Sequence, residues 1–329
     1  MHCELVVPAL FALPPAQRFP ALELLLGRGR EAHPASRTLE SWLAEAFAAQ
    51  EPLPAGVLSA YASGIAPGDA LWARADPVHL RLLRDRLVLI PHGAFEISAD
   101  EAGALCDALN RHFGASLELR PILPGSWCAK LDAAPGIDAP CPLEMAGRDV
   151  DLIVPRGAAA GPYQRFLNES QMVLHGHPVN EAREARGELA VNSVWLWGTG
   201  RLPEAVKSPW QSVLSDDPAV AGLARCAGAR SRPLGTSAGA WLDRAAEDGR
   251  HLAVLDSLRT PFALSQPAEF CASLEGLERD WFAPLLAALR AGRVGMVSLH
   301  VPEAGASFET IRGDLRRFWR RPRALESYA

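Results

Sequence analysis

Apolar stretches that predict buried strands alternate with amphipathic stretches that predict helices at both ends of the chain. The run 5–13 is broken by Pro8, and its first half predicts a buried first strand. Residues 39–49 place apolar side chains at helical spacing, whereas 191–197 and 251–255 predict further buried strands. Such alternation is typical of a doubly wound α/β core.

The middle of the chain has a different, more strand-rich pattern. Residues 71–74, 78–82 and 87–90 predict three short strands. Ser98 is followed three residues later by Glu101, the spacing of a capping box, and this predicts the start of a helix. The mixture predicts a small α+β domain.

Proline and glycine mark where the two patterns meet. Pro67 and Gly68 close a stretch rich in turn-forming residues, which indicates a boundary. We therefore predict a doubly wound α/β core formed by 1–68 and 189–329. The smaller α+β domain, 69–188, is inserted between these halves.

Composition limits the class of protein. The chain has 329 residues, 49% of them hydrophobic and 22% charged, with a net charge of −5, which is typical of a globular protein. No run approaches the ~18 apolar residues of a membrane span, and the six cysteines form no C-x-x-C pair. The start lacks the pattern of a signal peptide. We expect a cytoplasmic protein with reduced thiols and no membrane partner.

One stretch carries a family resemblance. The sequence HGHPVNEAREARGELAVNSVWLWGTG, residues 175–200, resembles the archaeal-type cofactor-independent phosphoglycerate mutases of the alkaline-phosphatase superfamily. Arg74, Asp76, His79 and the turn 84–86 also resemble that family, as does the helix 100–110. The whole chain resembles a smaller bacterial group, the RpfE-type regulatory proteins.

The resemblance implies that the doubly wound core with its inserted smaller α+β domain is alkaline-phosphatase-like, and that the protein is a metal-dependent enzyme. The residues at the expected catalytic positions, however, depart from the pattern of the family. The family uses two divalent metals and a Ser or Thr nucleophile at strand ends. Here residues 6–10 carry neither carboxylate nor hydroxyl, and only Asp256 and His300 remain as candidate metal ligands. Two ligands cannot hold two ions against water. We expect no catalytic residue and no cofactor; Mn or Zn would be needed only by an active mutase or phosphatase with atypical ligands.

The hypothesis that follows is a catalytically degenerate relative that acts as a regulatory or binding protein and senses a small phosphorylated acid. In the resembled enzymes, arginines of the inserted domain hold phosphate and carboxylate groups. The candidate ligand-binding residues are Arg74, His79, Arg84, Arg148, His175, His177, Asn180, Arg183, Arg186, Asn192, Gly198 and Gly200. Structural roles stay open for all of them, and a plain turn after the strand is favoured for the two glycines.

A serine motif offers a different chemistry. Residues 235–239 match the G-x-S-x-G nucleophile elbow, and Ser237, Asp256 and His300 follow in the hydrolase order. An elbow needs a buried strand directly before it, and 230–234 is unsuited to one. We favour a turn at a helix start for Ser237.

The C-terminal region is rich in arginine and predicts a helix over 314–321. Its basic patch consists of Arg312, Arg316, Arg317, Arg320 and Arg321. On a helix these side chains would suit the phosphates of a nucleic acid or an acidic protein partner. The alternative is a solvated helix paired with surface acids.

Overall fold

The computed structural model describes residues 1–83, 86–136, 138–150, 161–244 and 248–328. The chain forms two compact units, each described by itself: Met1–Ala49 with Ala205–Ala329, and Gln50–Glu204. No helix among the described residues is long and apolar enough to cross a bilayer.

The strands are β1 (His2–Val6), β2 (Arg30–Ala32), β3 (Leu71–Leu83), β4 (Arg86–Pro91), β5 (Leu117–Leu123), β6 (Ser126–Leu131), β7 (Ser193–Gly200), β8 (Ser212–Leu214), β9 (Arg230–Arg232), β10 (Arg250–Val254), β11 (Met296–Val301) and β12 (Ala306–Ile311). The helices are α1 (Pro20–Arg28), α2 (Leu39–Ala46), α3 (Ala55–Ala62), α4 (Ala99–Phe113), α5 (Pro142–Met145), α6 (Gly161–Leu174), α7 (Pro178–Ala185), α8 (Pro218–Cys226), α9 (Ala238–Arg244), α10 (Arg259–Ala263), α11 (Pro267–Leu277) and α12 (Ala283–Ala291).

The first unit is built on a seven-stranded sheet with the order β2-β12-β11-β1-β10-β8-β9. The five strands from β11 to β9 run parallel, and β12 and β2 extend the sheet in antiparallel pairing. Side chains of β1 alternate, so that Cys3 and Leu5 enter a large apolar core that also contains Phe270 and Phe282. This mixed α/β architecture confirms the predicted fold class.

The sheet of the second unit is built around one long strand, β3. β3 pairs antiparallel with β4, β6 and β7, and β5 pairs with β6. The separate strands predicted at 71–74 and 78–82 are wrong, since β3 continues through Pro77, which lies opposite Val194 of β7. The capping box at Ser98 and Glu101 is confirmed at the start of α4.

The compact units begin and end at other residues than the predicted domains. α3 and β7 lie in the second unit, whereas the sequence assigned both to the core. β7 joins this unit because it pairs along β3, and Gly56 brings α3 directly onto the backbone of Ala73. The predicted domain ranges themselves stay a prediction.

The helix predicted over 314–321 is wrong. A single 3-10 turn spans Asp314–Arg316, and turns follow it. The Asp314 carboxylate accepts from the N–H of Ile311 at 3.1 Å and pairs with Arg317 at 2.8 Å, while the Arg28 guanidinium binds the carbonyl of Leu315. These contacts fix a non-helical path, so the predicted arginines do not share one helix face.

The close approach at Gly56 yields a test of the packing. A methyl group there would lie 2.2 Å from the carbonyl carbon of Ala73, so backbone would have to move. We expect Gly56→Ala to lower the free energy of unfolding by about 2 kcal/mol, measured by urea denaturation. Gly103 in α4 is the matched control, since a methyl group there meets nothing within 4 Å. Gly103→Ala should raise stability by roughly 0.5–1 kcal/mol, and an equal fall for both variants would contradict the packing.

Candidate functional site

The edge where the parallel strands of the first unit end is the place that the resemblance assigns to catalysis. There β1 leaves the sheet through residues 7–10, whose side chains are apolar and buried. Ala9 has a left-handed backbone with φ of 60°, and its N–H donates to Oε2 of Glu303 at 3.1 Å. The β1 exit therefore presents no nucleophilic side chain, and a carboxylate from the loop after β11 binds its backbone donor.

Acidic side chains gather near the ends of β8 and β10. Burial raises the pKa of Asp256 to about 6; the carboxylate of Asp217 adds to this rise and Arg259 opposes it. Asp217 caps α8 by accepting from two backbone N–H groups at 2.6 and 3.2 Å. Asp216 accepts from a backbone N–H at 3.0 Å. Asp216 and Asp217, whose charges act on Asp256, thus both accept hydrogen bonds from the backbone.

Arg259 partly neutralises this edge. Its Nη2 donates to Oε1 of Glu40 at 2.8 Å. Burial raises the pKa of Glu303, while the hydrogen bond from Ala9 and the charge of Arg259 act in the opposite direction. The charge of Arg259 acts on Asp256 and Glu303, and its guanidinium contacts Glu40. Because carboxylates outnumber this one guanidinium, the electrostatics favour a cation over an anion.

The donor set does not fit a two-metal centre. Across the described ranges, no group of three or more His, Cys, Asp or Glu side chains is placed to hold a metal ion. Asp256 follows β10, whereas His300 on β11 places its Nε2 3.5 Å from Oε2 of Glu4. The His300 ring also packs 5.3 Å from the ring of Trp42. The two candidate metal ligands therefore lie at strands separated by β1 and have different contacts.

Glu4 is the centre of a polar network on the sheet face opposite the apolar core. It is 4% exposed, and Nε of Arg250 donates to its Oε1 at 2.8 Å. His2 lies 3.6 Å from the same oxygen and contacts Ser298 Oγ at 2.8 Å. Burial opposes ionisation of Glu4, but His300 and Arg250 outweigh it and lower the pKa to about 2. This carboxylate therefore stays ionised inside the protein.

In the second unit, Arg74 is committed to an internal ion pair. Its Nη2 donates to Oδ1 of Asp76 at 2.7 Å, and both side chains are buried. The other carboxylate oxygen accepts from the indole N–H of Trp197 at 2.7 Å, and the guanidinium lies over that ring at 5.4 Å. Arg74, one of the predicted ligand-binding residues, thus has its charge paired within the second unit.

The polar residues of the 175–200 stretch mainly bind backbone groups. Asn180 donates to the carbonyls of Leu174 and Val191 at 2.9 Å each and accepts from the Val191 N–H. Asn192 makes a pair of hydrogen bonds with the backbone of Leu80 at 2.7 and 2.8 Å. His177 caps α7 by accepting from a backbone N–H at 3.2 Å, and burial lowers its pKa. These side chains tie the stretch to β3 and α6.

Arg183 is also satisfied internally. It is 1% exposed and donates to the carbonyls of Leu189 and Glu96 at 2.8 Å each and to the Glu101 carboxylate at 2.9 Å. Arg186 is half-exposed and pairs with Glu101 at 2.9 Å. Glu101 thus joins the capping box of α4 to α7 and the loop after it.

The remaining candidates are dispersed. His79 is partly buried and bonds the Ala190 carbonyl through Nδ1 at 2.8 Å, and burial lowers its pKa. His175 and Arg148 are exposed. Arg84 lies outside the described residues. The structure therefore does not gather the predicted ligand-binding residues that it describes into one pocket.

Gly198 and Gly200 lie within β7, so the turn predicted after the strand is wrong. A methyl group on Gly198 would lie 2.7 Å from Cβ of Ala55, and one on Gly200 would lie 2.5 Å from Cβ of Pro54. Gly198 also has a φ of +55°. Both glycines let the start of α3 pack on the strand.

Ser237 occupies a turn at a helix start, as favoured from the sequence. Its Oγ accepts from the N–H of Ala240 in α9 at 3.2 Å. The preceding strand, β9, has three residues and forms the outer end of the sheet. The geometry of a nucleophile elbow is therefore not met.

The comparisons with known proteins agree with this architecture. No protein-family model matches the chain. It is 31% identical over 204 residues to a 2,3-bisphosphoglycerate-independent phosphoglycerate mutase from Methanosarcina mazei, covering 57% of the chain and 50% of that relative. A probable mutase of the same kind from Geobacter sulfurreducens is 29% identical over 181 residues, or 52% of the chain and 45% of the relative. The chain spans about half the length of the curated relatives it matches.

A solved structure supports the fold. The PH0037 protein from Pyrococcus horikoshii matches 94% of this chain and 87% of its own, with a TM-score of 0.55 and 14% identity. At that identity the likeness concerns the fold alone. The fold is α/β and alkaline-phosphatase-like, and the chain is similar to cofactor-independent phosphoglycerate mutases. Membership of the RpfE-type group stays a prediction.

Sequence reasoning missed Glu4 and Glu303. Glu4 is a carboxylate inside an otherwise apolar strand run, and that break in the pattern was a usable signal. Glu303 follows β11, where strand-end carboxylates are expected in this architecture. Its contact with Ala9 spans 294 residues, so no local pattern could reveal it.

The Glu4 network predicts a pH-dependent contribution to stability. The folded pKa of about 2 lies below the ordinary 4.5, so ionised Glu4 stabilises the fold above about pH 4.5. That contribution is lost as the pH falls toward 2. We expect Glu4→Gln to lower the free energy of unfolding by about 3 kcal/mol at neutral pH, measured by chemical denaturation.

The difference between wild type and Glu4→Gln should shrink as the pH falls from about 4.5 to 2. Glu326→Gln is the matched control, since Glu326 is exposed and should leave stability within about 0.5 kcal/mol. A Glu4→Gln effect that stays constant across this pH range would contradict the role assigned to the ion pairs.

Proposed function

We propose that the chain is a non-catalytic relative of the cofactor-independent phosphoglycerate mutases that acts as a regulatory or binding protein. The observation that carries this proposal is the β1 exit, where residues 7–10 are apolar and buried. Phosphoryl transfer through a covalent intermediate needs a nucleophile at the reacting position. An aliphatic or proline side chain supplies none.

The carboxylate of Glu303 adds an electrostatic argument. It accepts from the Ala9 N–H at the position where a free backbone donor would bind an anion. Asp256 and Glu40 bring further negative charge to the same sheet edge. A phosphate dianion would meet repulsion there unless protons or cations offset it.

A small phosphorylated acid is the ligand class that we propose for the binding role. The resemblance assigns such a ligand to arginines of the inserted region. Arg74 and Arg183 are buried and engaged with Asp76 and Glu101, which supports a loss of turnover. Arg148 is exposed, and it is the guanidinium among the predicted set that we would test for ligand contact.

A second candidate function is an active metal-dependent mutase or phosphatase with atypical ligands. The observation in its favour is Asp256, whose pKa is raised to about 6 by burial and by the nearby Asp217. A carboxyl group whose pKa is raised by burial and by a nearby carboxylate at a strand end suits a bound cation. Mn²⁺ or Zn²⁺ would be the ion to supply under this hypothesis.

Ligand binding and turnover can be separated on the purified full chain. We expect 2- or 3-phosphoglycerate to raise the melting temperature saturably, by an amount equivalent to about 3 kcal/mol at a hundredfold excess over Kd. Arg148→Ala should weaken that shift, while Arg290→Ala on α12 should leave it intact. The absence of any shift with phosphorylated acids would contradict the proposed ligand class.

The same preparation tests catalysis. We expect no interconversion of phosphoglycerates and no phosphatase turnover with Mn²⁺ or Zn²⁺ added. Turnover that needs the metal and is lost in Asp256→Asn, but kept in the exposed control Asp243→Asn, would establish the second candidate instead.

A further inference from the structure

Two large aromatic side chains stand out from the surface of the first unit. Phe318 is 77% exposed and Trp319 is 67% exposed, on the turn that follows the 3-10 helix. Their rings lie 5.2 Å apart at an interplanar angle of 82°. The two rings form a contiguous exposed apolar patch, and a patch of this kind is a candidate interaction surface.

The turn is held to the core on both sides. Nη1 of Arg320 donates to the carbonyl of Gly29 at 2.7 Å, and the Arg28 guanidinium binds the carbonyl of Leu315. Beyond the turn, Leu325 is fully buried and the Tyr328 ring stacks 5.6 Å from Phe11. The aromatic pair is therefore displayed by a fixed turn, so little ordering accompanies its contact with a partner.

Arginines flank the aromatic pair along the chain. The segment 312–323 contains six arginines and one acidic residue. Arg317 pairs with Asp314 at 2.8 Å, and Arg323 lies 3.9 Å from a Glu31 carboxylate oxygen. Arg312, Arg316 and Arg321 are exposed, and no ion pair joins them to an acid within the described part of the chain. On a protein of net charge −5, this is a local cationic surface.

We propose that the turn 316–321 is a contact surface for an anionic lipid bilayer. Phe318 and Trp319 would enter the headgroup boundary, where aromatic rings are favourable, and the unpaired arginines would face the lipid phosphates. This contact needs no spanning helix and is separate from the function proposed above. It departs from the expectation, based on the lack of a membrane span in the sequence, that the protein has no membrane partner.

The ring geometry favours a lipid surface over a single-stranded nucleic acid. Successive bases stack on ring faces that line a groove along the strand. Here the rings stand nearly perpendicular, so the edge of one covers part of the other, and both protrude from a turn. An exposed pair of aromatic side chains that arginines flank along the chain is suited to shallow insertion.

The test is co-sedimentation of the full chain with vesicles. We expect negligible binding to phosphatidylcholine alone, binding to phosphatidylcholine mixed with phosphatidylglycerol, and weakening of that binding by salt. Phe318→Ala with Trp319→Ala should lower the partition coefficient at least about tenfold. Arg316→Ala and Arg321→Ala should each lower it about fivefold.

Phe262→Ala is the matched control, since Phe262 is an exposed aromatic of the same unit at 43% exposure. It should leave vesicle binding unchanged. Equal binding to neutral and anionic vesicles, or no binding to either, would overturn the proposal. So would salt-sensitive binding to oligothymidylate that depends on Trp319 in the absence of vesicle binding, because it would assign the surface to nucleic acid.

Discussion

A buried polar group must keep a hydrogen-bonding partner, and this constraint determines much of the molecule. An unpaired buried guanidinium or carboxylate costs several kcal/mol. In the second unit, Arg74 is therefore joined to Asp76, and Arg183 to Glu101 and two carbonyls. Asn180 meets the same requirement for the backbone around it. The arginine and asparagine side chains that could bind an anionic ligand are here paired with buried groups of the same unit.

The same constraint acts in the first unit, with the opposite charge at its centre. Glu4 lies inside the central strand and is kept ionised by Arg250 and His300. At the sheet edge, Glu303 satisfies the N–H of Ala9. These carboxylates thus bind groups of the protein itself. The sheet edge is therefore acidic and poorly suited to a phosphate without a counterion.

The sequence predicted features that depend on local patterns. The capping box at Ser98 is complete within four residues, and the alternation of strands and helices is read from apolar spacing. Prediction from the sequence failed where contacts between residues far apart in the chain determine the local structure. The helix predicted from Asp314 is replaced by a path that Arg28 helps to fix, and the strand predicted to stop before Pro77 continues because β7 pairs with it. The candidate site could not be derived for the same reason, since each guanidinium partner had to be known first.

Two kinds of residue have to be distinguished in the resemblance to the mutases: those that the fold requires and those that the chemistry would require. In the 175–200 stretch, Asn180 and Asn192 bind backbone groups, and Gly198 allows α3 to approach β7. Such residues are required by the architecture whether or not chemistry takes place nearby. The residues that chemistry requires belong to strand exits such as 7–10, where the chain differs from the resembled pattern. Similarity at residues that the architecture requires therefore supports the fold. Activity has to be argued from the residues that the chemistry requires.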